Sequence, residues 1–381
     1  MAVTNLAMRG STAALLLVAG AAQASVLPVD RADVMHHSYS GGGVSIDGPA
    51  VQVRSKVGQN LSISGTYYID TVSGASVDVV ATASAYSEQR KEKHIGFDYL
   101  AGNSLLSANV TASDENDYKA RTVSFDISHD TFGGLTTLSL GTALGDDTVG
   151  RNGDANFQEQ VKRNNYRVGI SQIITTTWIM ALNGEVNLDE GFLNNPYRQV
   201  RYVDPTAPLG YAYQSEIYPR TRNAAAVSLV NKFYWPDRSA FTLNVRGYQD
   251  SWDIRSTDYE ISYVKPLDWG FTVEARIRYY TQTQASFYRD LFDYQSQLNF
   301  MARDKELSDF SDLTSGLGLI YKLPQFSFFK GTAPEITLQY EEMFYKYNNF
   351  RDVRVRDVPA GTEPLYELEA RVIRAFFSLY F

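Results

Sequence analysis

Six ionisable residues fall at alternate positions on three consecutive β-type segments: Arg246, then Asp258 and Glu260, then Glu274, Arg276 and Arg278. In an extended chain, alternate side chains share one face. All six would therefore stand on one wall, with cations and carboxylates on neighbouring strands. Such a wall can set up a transverse field that orients polar solutes in a channel. It can equally be a salt-bridge network that stiffens the wall. These six are the candidate pore-lining residues. A second chemically distinctive set lies in the polar stretch 188–222. It comprises Asn195, Pro196, Tyr197 and Arg198, then Tyr218, Pro219, Arg220 and Arg222, and these are candidate loop motifs.

Catalytic and metal chemistry find less support. His36 and His37 are adjacent, so in a strand they point to opposite faces and one ion cannot easily take both. His94 with Asp98, or His129 with Asp130, would pair a base with an acid, but no nucleophile–histidine–acid triad is readable. No catalytic residue is assigned and no enzyme is expected. The acidic runs 114–117 and 146–147 could hold Ca²⁺, or cations that bridge lipopolysaccharide, through oxygen ligands. As solvated loop tips they need no ion, so neither metal nor cofactor is assigned. There is no cysteine, which excludes thiolate metal sites, disulfides and C-x-x-C-H haem attachment within the chain. A net charge of −8 argues against a nucleic-acid partner.

The elements that must hold these residues are strands. In the last segment, Ile373, Ala375, Phe377 and Leu379 form a wholly apolar parity, opposite Val372, Arg374, Phe376, Ser378 and Tyr380. Lipid outside and a polar lumen inside explain that asymmetry. The same alternation recurs through the chain and gives about 16 strands, or 14 if the first two are discounted. Short turns at Gly58-Gln59, Gly102-Asn103, Gly133-Gly134, Thr175–Thr177, Pro236-Asp237 and Leu267-Asp268 alternate with longer connections. Loops are expected over 73–91, 144–163, 188–222, 284–311 and 348–365. Short periplasmic turns and long extracellular loops define a transmembrane antiparallel β-barrel of the all-β class. A 16-stranded barrel is wide enough for water unless loops fill it.

Residues 1–24 read as a signal peptide: Arg9, an apolar run from Ala13 to Ala22, then Ala22-Gln23-Ala24 before cleavage at Ser25. That run is too short to span a bilayer as a helix. Residues 25–381 are expected to form one barrel domain in the bacterial outer membrane. Its surroundings would be membrane lipids and lipopolysaccharide. Phe381, a terminal aromatic, resembles the assembly signal read by the barrel-assembly machinery.

Five spaced motifs stand out together: 70–76 (DTVSGAS), 190–198 (EGFLNNPYR), 218–222 (YPRTR), 278–282 (RYYTQ) and 302–308 (ARDKELS). On these the chain resembles a family of bacterial outer-membrane barrel proteins catalogued as a domain of unknown function. The resemblance implies the fold and brings no substrate or catalytic residue. The expected function is a porin-like channel for small polar solutes. The alternative is a barrel closed by its loops that holds a periplasmic or surface partner. An outer-membrane hydrolase is the least favoured reading.

Overall fold

The computed structural model of the protein describes residues 26–74, 86–324 and 333–381. The expected signal peptide lies outside the described residues. The chain runs as β-hairpins in sequence order. These are β1 (Arg31–Gly41), β2 (Val44–Val57), β3 (Leu61–Gly74), β4 (Tyr86–Ala101), β5 (Ser104–Asp114) and β6 (Tyr118–Thr131), followed by β7 (Thr136–Arg151), β8 (Asp154–Thr175) and β9 (Trp178–Gly191). A small separate hairpin follows, β10 (Gln199–Val203) and β11 (Tyr211–Ser215). The wall resumes with β12 (Thr221–Tyr234), β13 (Ala240–Asp250), β14 (Arg255–Pro266) and β15 (Phe271–Gln282). It ends with β16 (Phe310–Lys322), β17 (Ala333–Arg351) and β18 (Leu365–Tyr380).

Sixteen of these strands close into one antiparallel barrel, with β9 pairing β12 and β18 pairing β1. The seam runs from Arg31↔Tyr380 to Gly41↔Ala370, so no edge is left open. The 14-strand alternative is thereby excluded. Among the described residues no helix is long and apolar enough to cross a membrane.

The expected parity is observed. Val51, Ile95, Phe125, Leu140, Val168, Ile277, Leu317 and Ile373 are exposed on the outer surface. Their neighbours one residue away point into the lumen and are mostly polar. An apolar outer belt on a closed sheet is stable only against lipid, where every backbone group must already be paired within the sheet. Trp269 and Phe132, at the tips of two short turns, are among the most exposed aromatics and sit where a membrane–water interface would be.

Three sequence expectations need correction. The stretch 144–163 is not a loop. β7 and β8 continue through it and turn at Asn152-Gly153, with Gly153 at φ 84°. Beyond the lipid both faces of a strand can be polar, so the alternation fades although the ladder does not. The loop at 73–91 is shorter, because β3 reaches Gly74 and β4 begins at Tyr86; residues 75–85 lie outside the described set. The segment 188–222 is not structureless either, since it carries the β10–β11 hairpin.

Candidate functional site

The inward faces of β13, β14 and β15 carry the six candidate pore-lining residues. The structure brings most of them together as ion pairs. Arg278 Nε donates to Asp258 and its Nη1 lies 3.6 Å from Asp312. Arg276 bonds Glu341 of β17 and stands 3.7 Å from Glu260. Arg374 of β18 joins the same Glu341 at 3.2 Å. Arg246 turns the other way, to Glu185 on β9 at 3.5 Å. Glu274 enters no ion pair among the described residues. Asp312, Glu341 and Glu185 thus complete networks of which the six formed only part.

Several of these pairs reach across an intervening strand, and glycine makes that reach possible. Arg276, Gly316 and Glu341 lie in one register row. A Cβ on Gly316 would come within 3.3 Å of Glu341 Cγ. Asp126, Gly141 and Arg167 form a second row on β6, β7 and β8, where Arg167 Nη2 donates to Asp126 Oδ1 at 2.7 Å. A Cβ on Gly141 would overlap that carboxylate. A third case joins β1 to β3. His37 Nε2 lies 2.7 Å from Asp70 Oδ1, two strands away, and 3.0 Å from the Tyr68 hydroxyl. Gly48 of β2 sits between them, where a Cβ would overlap the Ile69 carbonyl oxygen. The β2–β3 ladder skips from Asp47↔Thr71 to Ala50↔Tyr68, because Gly48-Pro49 does not pair there. His36 points outward, so the two histidines do occupy opposite faces. Asp98 pairs with Ser107 at 2.5 Å instead of His94, and His129 Nδ1 meets Ser104 Oγ at 2.8 Å.

Water access to the lumen wall is uneven. The side chains of Asp126 and Arg167 are 38% and 39% exposed, and those of Glu185 and Arg246 are 33% and 37% exposed, although all four face inward. On the opposite side Arg374 and Glu341 are only 8% and 10% exposed. The cause is a layer of extracellular loops leaning against β16–β18. Trp252, Ile254, Ala285, Phe287, Tyr288, Ala302 and Leu307 pack with Phe310, Met343, Tyr345, Tyr347, Tyr366, Leu368, Ala370 and Val372 in one apolar cluster. The last eight come from the inner wall, whose upper part is therefore apolar where the loops cover it.

One buried arginine ties the loop layer together. Arg201 on β10, fully buried, bonds both carboxylate oxygens of Glu363, the Asp290 carboxylate and the Asp290 carbonyl. Arg303 adds a second cation at 2.9 Å from Asp290 and stacks over Phe350. Segments 188–222, 284–311 and 348–365 are thus joined at one point. Burial opposes the charge on Glu363, but the hydrogen bonds and charge of Arg201, together with backbone N–H donors that include Gly361, outweigh it and hold the carboxyl below the usual glutamate range. Arg198, Tyr218 and Arg222 of the loop motifs serve the same layer. Arg198 pairs with Asp304, and Asn195 Oδ1 accepts from Tyr197 N at 2.8 Å, a turn that Pro196 fits. The buried Tyr218 hydroxyl donates to Glu216 at 2.7 Å; burial first, then this carboxylate, push its pKa well up. Pro219 leads into Arg220, which pairs with Glu159 at 2.8 Å, and Arg222 pairs with Asp250 and covers Trp252.

The acidic run 114–117 divides. Asp114 pairs with Arg121 at 3.1 Å, whereas Glu115 and Asp117 converge with Glu88 to within 4.8 Å. Asp117 also accepts from the Tyr197 hydroxyl, which in turn accepts from Asn152 N at 2.6 Å. In the second acidic run, Asp147 points inward to Arg163 at 2.9 Å. At the seam, Phe381 follows β18 and its N–H donates to the Asp30 carbonyl at 3.2 Å.

A closed 16-stranded barrel with an apolar outer belt and a polar lumen is an outer-membrane β-barrel protein. The model of the family described as "Protein of unknown function (DUF3570)" matches residues 78–340, and the chain belongs to that family. No curated protein matches it. Among solved structures it is similar to a bacterial polysaccharide outer membrane secretin, at 9% identity and TM-score 0.47, covering 93% of this chain and 100% of that one. It is also similar to Pseudomonas aeruginosa OccK2 (OpdF) in complex with glucuronate, at 10% identity and TM-score 0.42, over 94% and 100% of the two chains. A third similar structure is a loop-deletion mutant of the Vibrio cholerae outer membrane protein OmpT, at 8% identity and TM-score 0.41, over 92% and 99%.

Proposed function

We propose that the protein is a channel for small polar solutes across the outer membrane, with the path running along the β6–β9 and β12–β13 wall. The observation that carries this reading is the uneven access to the lumen. The inward-facing Asp126, Arg167, Glu185 and Arg246 of that wall are about one-third exposed, whereas Glu341 and Arg374 beside the loop layer are almost buried. Small inward residues keep the wall shallow: Gly141, Gly169, Ala224, Ala226 and Ser228 lie on it. Pore selectivity in such barrels is set by the lumen side chains along the path. On this reading the candidate residues of β14 and β15 mainly stiffen the far wall, and Arg246 is the one among the six that borders the path.

A second reading is a loop-closed scaffold for a periplasmic or surface partner. The fully buried Arg201 favours it, because it holds three extracellular segments in one arrangement. Planar-bilayer recording separates the two. Purified, heat-modifiable barrel should give discrete conductance steps. No conductance, either from the intact protein or after removal of the β10–β11 hairpin, would leave the scaffold reading in place.

A further inference from the structure

Which solutes suit the path depends on what its wall offers, and the wall is amide-rich. Asn165, Asn183 and Asn187 face inward on β8 and β9, and Asn109 faces inward on β5, which adjoins that wall. They are tied to one another and to their neighbours. Asn165 Nδ2 donates to Asn187 Oδ1 at 2.7 Å and to Glu185 at 2.8 Å. Asn109 donates to Ser124, and Asn183 to Ser228, each at 3.3 Å. These bonds use only part of each amide's two donor hydrogens and its acceptor oxygen. Asn183 is exposed although it points inward.

Two ion pairs stand on the same wall. Arg167 is paired with Asp126 at 2.7 Å and Arg246 with Glu185 at 3.5 Å. Nearer the periplasmic turns, Asp98 is held by Ser107, and Lys232 of β12 faces inward with no ion pair among the described residues. A passing ion would give up hydration and meet no uncompensated opposite charge on the arginine-bearing part of the wall. A hydroxyl donates and accepts, as do the carboxamides and serines it would pass.

We propose that the path selects neutral, hydroxyl-rich solutes of sugar or polyol type over ions of similar size. This rests on the channel reading above, and the test keeps the two apart. Proteoliposomes carrying the full barrel would be swollen in isosmotic arabinose, in arabinonate (the same carbon skeleton with a negative charge) and in glucosamine (a cation). The expected result is fastest swelling in arabinose. Asn183→Asp adds one uncompensated charge at an exposed lumen position without touching the core. It should raise the glucosamine rate relative to arabinose by about fivefold and lower the arabinonate rate. If arabinonate or glucosamine enters wild-type vesicles as fast as arabinose, or if Asn183→Asp shifts neither rate, the selectivity proposal is overturned while the channel stands. If none of the three enters, the channel reading itself falls.

Discussion

Replacing Arg201 by Met removes the charge while keeping an unbranched side chain of similar length, so the loss falls on the ion pairs more than on packing. Wild-type Arg201 satisfies Glu363 through two nitrogens and Asp290 through its carboxylate and carbonyl. Removing one partner of a buried pair costs about 3–5 kcal/mol, since the other charge stays buried without compensation. Here Asp290 keeps Arg303 and Glu363 keeps the Gly361 N–H at 2.9 Å, which puts the cost near the lower end, about 3 kcal/mol. The loss is local to the loop layer, because Arg201 contacts no strand of the wall in any of these bonds. An opening equilibrium shifted by that amount changes by roughly a hundredfold. Limited proteolysis at the 188–222 and 348–365 segments should therefore accelerate by about that factor while heat modifiability of the barrel stays unchanged. Cleavage of Arg201→Met at the wild-type rate would refute the idea that this arginine holds the loops. Loss of the heat-modifiable form would show that the loops and the wall are not separable.

Three further outcomes follow from the same geometry. Glu363 has a lowered carboxyl pKa in the folded loops, so its contribution is present above the ordinary glutamate value of about 4.3 and is lost as pH falls through the folded value; loop cleavage by an acid-active protease should rise below about pH 4, and a flat profile from pH 5 to 3 would contradict this. Gly48→Ala would drive a methyl into the Ile69 carbonyl and should prevent a stable barrel, whereas Gly141→Ala displaces only the end of a side chain in a half-exposed pair worth about 0–1 kcal/mol, so equal losses in urea titration would be unexpected. Ile277→Arg, on the lipid face, should cost about 2–4 kcal/mol near the midplane, while Ser262→Arg on the lumen face of the neighbouring strand should be far milder.

The barrel was legible because its signal is local. A period of two, read at Phe271–Tyr280 or at Val372–Tyr380, states which face meets lipid without any knowledge of the partner strand. The strand count followed from the rhythm of turns. The misreading of 144–163 marks the limit of that signal: where β7 and β8 leave the membrane, water accepts polar residues on both faces. Pairing was less accessible. Arg246 shares its alternation with the carboxylates of β14, yet it binds Glu185 two strands away on the other side, reaching diagonally past Ala226 and Ser228, which are both small. His37 and Asp70 meet only because Gly48 and Pro49 interrupt a ladder, which depends on register and not on any one segment. Arg201 gave no cue beyond the apolar neighbours Val200, Tyr202 and Val203. Its partners lie far along the chain, at 290 and 363, and only the folded loop layer brings them together.

The absence of cysteine allows a direct test of where the path runs. Asn183→Cys places a single thiol on the inward face of β9, and Thr314→Cys places one on the inward face of β16, in register with Met343 of the apolar cluster. A negatively charged thiosulfonate reagent should reduce the single-channel conductance of Asn183→Cys in steps, and should leave that of Thr314→Cys much less affected. If Asn183→Cys conducts unchanged after modification, confirmed by mass, while Thr314→Cys is blocked, the path does not follow the β6–β9 and β12–β13 wall and the account is wrong.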